Sequence, residues 1–423
     1  MKDLFLSLEL PGGKSEEYDY GCGRLLLFEN ADLSDFVRLC GSLEKAGFAL
    51  YDSLTVPGAE FRTYRRDIFM IVSFDHDSAL RVISDEVSAE YQSSPLSFER
   101  KNASALWQFE VDHSLIDCGM CYALRLADGS FFMIDSPHQY SVNDDIRIVD
   151  FLTKENGGEK PVVAGWFFTH GHDDHIAKFM DILRYRSDKI EIRSVYYDFP
   201  PRSHPDSRFW DGASQNITDK FDALIKEHPE IKRFCPHSGQ TFYHANARFT
   251  VLCAQEDIFP NSLRDYNSSS ASIMAEVDGT KILFPGDSAV EADKVLVGRW
   301  GDLLSCDIVQ VSHHGHLGTS REFYRLAGAS CALFPVTRIK FDEELPRQEA
   351  NRYIVDTVPE YHIASDGTVK LPLPYSAGNA VICPDETFED FDGIYSLWCY
   401  EYTEEYKERL REEYLRRSGK SEQ

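Results

Sequence analysis

The sequence predicts an α/β fold preceded by a small α+β unit, and three observations predict it. Beyond residue 98, apolar strand-like runs alternate with amphipathic helical patterns, the arrangement that builds layered α/β domains. Before it, one capped helical stretch stands among several β-rich runs. Between the two, EYQSSPLS at 90–97 is polar and holds a proline, which suits a linker. At 423 residues the chain can bury more than one core. The divisions expected are 1–98, 99–375 and an acidic extension over 376–423.

Each element follows from its local pattern. RLLLF from Arg24 reads as a strand, and Asp32 caps a helix whose apolar face is Leu33, Phe36, Cys40, Leu43 and Ala46. FALYDSL, EFRTYRR and IFMIVSF then read as strands. In the second unit, CYALRLADGSFFMID is a hairpin turning on Asp128 and Gly129, followed by a helix over 144–154. The strand VVAGWFF leads into THGHDDHIAKFM, where Ile176, Phe179, Met180 and Leu183 give a helical apolar stripe. After Pro374 the text turns acidic and irregular and closes on a charged helical pattern, EYTEEYKERLREEYLRR. No internal repeat or low-complexity segment interrupts it.

Composition narrows the function classes. With 44 basic and 70 acidic residues the net charge is -26, a field that repels polyanions. General nucleic-acid binding and attachment to anionic membranes are therefore not expected, and the short basic runs at 62–66 and in the tail read as solvated faces. No window reaches the roughly 18 consecutive apolar residues of a membrane span. MKDLFLSLEL carries acids early and lacks a small-residue cleavage site, so a cytoplasmic location is expected. The ten cysteines show no framework spacing, and Cys118 and Cys121, a lone CxxC, read as ordinary reduced thiols.

The chemistry concentrates at His170, His172, Asp174 and His175, in HxHxDH spacing directly after an apolar strand. A strand delivers its C-terminal end to a sheet edge, where the next loop and helix form a crevice. His170 and His172 flank Gly171 and project to one side of extended backbone. Asp174 and His175 approach from the start of the helix, and such a set suits two cations better than one. Single histidines are usually core or surface residues. Four polar groups buried together without a cation would cost several kcal/mol, roughly, which favours the metal reading. TKILFPGDS places Asp287 after another apolar strand, and DIVQVSHHG places His313 and His314 after a third.

In this order the motifs resemble those of the metallo-β-lactamase fold superfamily. NSSSASIMAEVDGTKILFPGDS and DIVQVSHHG are similar to the hydrolase domain of competence-type DNA-uptake proteins and their free-standing bacterial relatives. The resemblance spans roughly residues 100 to 375. It implies an αββα sandwich with a binuclear site, usually zinc, with Mn2+ or Fe2+ as other occupants. His170 and His172 would hold one cation, Asp174 and His175 the other, and Asp287 would bridge them. His313, in phase with Val309 and Val311, is expected as a further ligand. His314 would stand behind it or donate a proton to the leaving group, so Asp174 and His314 are the expected catalytic pair. Asp135, after the DGS turn, would brace the site. A third histidine for the first metal has no clear counterpart: Cys253 stands where one is often found, and His204, His237 and His244 read as ordinary loop histidines. His362 is a weaker candidate for substrate contact, as are Asn267 and Ser270, which also suit a turn. Phe209 and Trp210, in the proline-rich loop 200–212, suit a lid.

Two cations about 3.5–4 Å apart can share a hydroxide ionised near neutral pH, so the expected activity is a metal-dependent hydrolase. No GxSxG elbow or Walker motif supports covalent acyl chemistry or nucleotide-driven motion. The resemblance implies phosphodiesters and the charge argues for a small one. Ester, lactone or amide hydrolysis is the alternative, and a non-catalytic metal-binding or sensing protein is a second. Flavin-coupled di-iron members of the fold carry a glutamate where this chain has His172.

Overall fold

The computed structural model describes residues 5, 8–12, 15–76, 79–111, 118–139, 144–204, 207, 212–259, 263 and 266–383. The expected C-terminal charged helix, Phe209 and Trp210 lie outside them. The first sheet is antiparallel and six-stranded, in the order Ser15–Asp19, Gly23–Glu29, Ala79–Asp85, Phe69–Asp75, Ala59–Arg65, Ala49–Val56. Its alternation sorts side chains to two faces. Met70, Val72 and Phe74 face the helix Leu33–Lys45, while Phe69 and Ile71 join the core of the rest of the chain. The helix starts in a capping box of Asp32 and Asp35. It buries Phe36, Leu39, Cys40 and Leu43 but leaves Leu33 51% exposed. No strand or helix occupies 86–104.

Two further sheets carry the remaining chain. One runs in the order Lys232–Phe234, Ser194–Tyr196, Val162–Phe167, Phe131–Ile134, Tyr122–Arg125, Ala105–Gln108, Thr368–Pro372, Val381–Cys383. The other runs Thr241–His244, Ala247–Cys253, Ser272–Val277, Thr280–Phe284, Ile308–Gln310, Cys331–Phe334, Glu360–Ile363. Their inner faces meet: Phe132 stacks on Phe249 with centroids 4.0 Å apart, and Tyr122 lies 5.2 Å from Phe284. Helices including Asp173–Tyr185 and Val290–Trp300 complete the αββα layering. Each sheet has a parallel half, formed by 131–134, 162–167, 194–196 and 232–234 in one and by 280–284, 308–310, 331–334 and 360–363 in the other. The loops leaving the carboxyl ends of these strands carry the motifs. Among the described residues no helix is long and apolar enough to cross a membrane.

Candidate metal centre

The strand Val162–Phe167 runs into Thr169 and His170, and His172 is the N-cap of the helix that starts at Asp173. Gly171 between them has no room for a side chain, since a Cβ would stand 2.4 Å from Thr218 Cγ2 and 3.1 Å from Tyr266. His170 Nε2 and His172 Nδ1 end 3.0 Å apart. In the first turn of the helix, His175 is fully buried and meets the loops that follow Thr280–Phe284 and Ile308–Gln310 in the facing sheet. Its Nε2 is 3.4 Å from Asp287 Oδ2 and 3.2 Å from His314 Nε2. His314 Nε2 lies 3.0 Å from Asp174 Oδ2 and 3.3 Å from Asp287 Oδ2. Asp287 Oδ2 is also 3.9 Å from His170 Nε2.

The ligand-type atoms fall into two neighbouring groups. Those of His170, His175 and Asp287 lie within 4.8 Å of one another, and so do those of Cys118, Asp174 and His314. The set fits divalent cations on an observation of its own: Asp287 Oδ1 is buried and has no hydrogen-bond partner, while its Oδ2 faces three imidazoles. Backbone geometry supports that placement. Gly286, at φ +61, lies so close to Thr169 that a Cβ would clash at 2.7 Å, and Asp287 N–H donates to Ser270 Oγ.

Asp135 lies directly behind the cluster. It follows Phe131–Ile134 at φ 53, and its carboxylate accepts from Thr169 N–H, Thr169 Oγ1–H and His175 Nδ1, each at 2.7 Å. That contact leaves His175 Nε2 as the free ligating atom. The Pro335 carbonyl does the same for His314, 2.8 Å from Nδ1. Burial alone would lower both imidazoles. Asp287, Asp174 and Asp135 outweigh it for His175 and hold it well above its ordinary value, and Asp287 and Asp174 raise His314 to about 10. His170 goes the other way, because burial and the neighbouring His175 keep it neutral. Burial opposes ionisation of Asp174 and Asp287, yet the facing histidines hold both carboxyls well below the usual range.

One expectation is corrected, and two weaker candidates stand apart from the cluster. His313 does not face Asp174 and Asp287: its Nε2 meets Asn267 Nδ2 at 3.2 Å and its Nδ1 the Leu317 carbonyl at 3.1 Å. Both histidines take positive φ, 51° and 55°, so the strand alternation that put His313 in phase with Val309 ends before the motif. Cys253 is buried on its strand, its thiol 3.9 Å from the Ala254 carbonyl and raised in pKa by burial and by Asp257. His362 turns to Glu360, 3.0 Å away. Cys118 was missed: its thiol donates to Asp174 Oδ2 at 3.5 Å, and burial and the neighbouring carboxylates keep it protonated. Its only signal was the CxxC. The histidines considered for the first metal stand elsewhere: His244 bonds to Tyr196, His204 packs against Phe259, and His237 lies 3.4 Å from Asp85 and 3.6 Å from Glu256. Asn267 and Ser270 do border the cluster, through His313 and the Asp287 backbone.

The layering is the αββα sandwich that the sequence resemblance implied. No family model and no curated protein matches the sequence. Among solved structures the chain is similar to the metallo-β-lactamase fold protein YhfI from Bacillus subtilis, with a TM-score of 0.39 and 11% identity over 61% of this chain and 96% of that one. It is similar to CmlA, a diiron β-hydroxylase from Streptomyces venezuelae, with a TM-score of 0.40 and 12% identity over 64% of this chain and 55% of that one. It is also similar to unliganded yeast PDE1, with a TM-score of 0.40 and 11% identity over 64% of this chain and all, 100%, of that one.

Proposed function

We propose that the chain is a binuclear metal-dependent hydrolase, with zinc as its metal, that cleaves a small phosphodiester. The observation that carries this reading is Asp287. One of its oxygens faces His170, His175 and His314, and the other is buried without a partner, the disposition of a carboxylate shared between two cations. His170, His172 and Asp287 would hold one cation, and Asp174, His175, Asp287 and His314 the other. When bound, the cations supply a water that ionises near neutral pH and positive charge to polarise a substrate oxygen. Asp135 and the Pro335 carbonyl fix the ring orientations of His175 and His314. With His314 inside the cluster, the proton-donor role passes to His313, which is half-buried beside it and linked to Asn267.

A small phosphodiester suits two cations, and the net charge of -26 disfavours a long polyanion. The kinship with the DNA-uptake hydrolases belongs to this proposal and rests on the motif sequences alone. The test is elemental analysis of the purified protein together with a panel of chromogenic phosphodiesters, phosphomonoesters, esters and lactones. Turnover of bis(p-nitrophenyl) phosphate that disappears in Asp174→Ala and His175→Ala is the result expected. Activity confined to lactones or esters would overturn the substrate class, and no turnover with any divalent metal would overturn catalysis.

A further inference from the structure

A second cluster of ligand-type side chains lies outside the centre described above, where the six-stranded sheet meets the sandwich. Cys22 directly precedes the strand Gly23–Glu29, and Asp85 ends the strand Ala79–Asp85 beside it. Asp198 and Cys235 follow the strands Ser194–Tyr196 and Lys232–Phe234, and His237 comes two residues later. All five residues are buried. The ligand atoms of Cys22, Asp198 and Cys235 lie within 4.8 Å of one another, as do those of Cys22, Asp85 and His237, so the Cys22 thiol belongs to both groups.

The cluster does not satisfy itself. Both Asp198 oxygens, Asp85 Oδ2 and His237 Nδ1 are buried with no hydrogen-bond partner. A histidinium between carboxylates would be the plainest arrangement, but Asp85 stands 3.4 Å from Nε2 and Glu256 3.6 Å from Nδ1, and neither makes the bond. It would also leave both Asp198 oxygens unanswered. Ligands around a tetrahedral zinc, at about 2.3 Å for sulfur and about 2.0–2.1 Å for nitrogen or oxygen, stand about 3.6 Å apart for sulfur and nitrogen and about 3.3 Å for nitrogen and oxygen. Cys22 Sγ and His237 Nε2 are 3.9 Å apart, and His237 Nε2 and Asp85 Oδ2 are 3.4 Å apart. Glu256, held by Ser238 N–H and Tyr20 Oη–H, faces the other ring nitrogen as an orienting carboxylate does behind a ligating histidine.

We propose that Cys22, Cys235, His237 and a carboxylate of Asp198 or Asp85 form a second, closed zinc site that clasps the N-terminal sheet to the sandwich. Two thiolates, an imidazole and a carboxylate complete four-coordination and leave no position for water, so the site is structural. On binding, zinc displaces the two thiol protons and the proton on the ligating nitrogen of His237 to solvent, and no oxidant or reductant is required.

The test uses the full chain carrying Cys118→Ser, His175→Ala and Asp287→Asn, which disables the first centre and removes its only thiol. Elemental analysis should find about one equivalent of zinc, and cobalt exchanged into the same protein should show thiolate-to-cobalt charge-transfer absorption in the near ultraviolet. Adding Cys22→Ser and Cys235→Ser should reduce the metal at least tenfold and abolish the band. If those variants do not fold, titrating the thiols of the triple variant with a mercurial decides instead, with about one zinc released as two thiols react. Less than about a tenth of an equivalent of metal with no charge-transfer band, or a Cys22–Cys235 disulfide in peptide mapping, overturns the proposal.

Discussion

Replacing Asp135 by asparagine separates charge from shape at the support of the metal centre. Asparagine tolerates the left-handed backbone that Asp135 adopts at φ 53, so the turn itself is preserved. What changes is the acceptor. Oδ2 of Asp135 takes bonds from both Thr169 Oγ1–H and His175 Nδ1–H, whereas an amide NH2 at that position can only donate. His175 must then accept at Nδ1 and carry its proton on Nε2, the atom that faces Asp287 and His314. Exchanging charged for neutral hydrogen bonds to two buried donors costs roughly 1–3 kcal/mol. Loss of such an orienting partner separately lowers metal affinity about 10- to 100-fold, or roughly 1.4–2.7 kcal/mol. Competition against a chromogenic chelator measures the affinity, and urea unfolding of the metal-free protein measures the stability. A metal affinity within about twofold of the parent chain would show that Asp135 does not set the tautomer of His175.

The two histidines of the HHG motif should separate cleanly. His314→Ala should lose metal in elemental analysis, while His313→Ala keeps it and lowers kcat by about 10²–10⁴; the reverse pattern would restore the sequence-based assignment. Metal uptake should strengthen as pH rises. His314, at about 10 in the metal-free chain, and His175, held well above its ordinary value, must each shed a proton to ligate, which contributes about tenfold in affinity per proton per pH unit below those values. Calorimetry in buffers of different ionisation enthalpy counts these protons, and uptake without proton release would contradict the assignment. The sign is opposite for folding of the metal-free protein. Because its folded value is raised, the contribution of His314 is complete below 6.5 and fades as pH climbs to about 10, which denaturant midpoints should follow. Arg299→Ala should cost about 3–5 kcal/mol in urea unfolding, since Arg299 pairs at 2.7 Å with both Asp75 of the first sheet and Asp257 of the sandwich; a loss below about 1 kcal/mol would mean the junction does not depend on it.

The sequence by itself determined whatever depends on short stretches of chain. HxHxDH could be read because six consecutive residues at a strand-to-helix junction have nearly fixed relative positions, and the Asp32 cap and the Asp128–Gly129 turn were legible for the same reason. Tertiary structure decided the rest. Two left-handed residues reversed the placements expected of His313 and His314, a backbone state that strand alternation does not encode. Cys118 gains a partner only because its loop crosses to Asp174, 56 residues away, and Cys22 meets His237 across 215. Over such separations the positions are set by how three sheets pack, and residue spacing carries no record of that path.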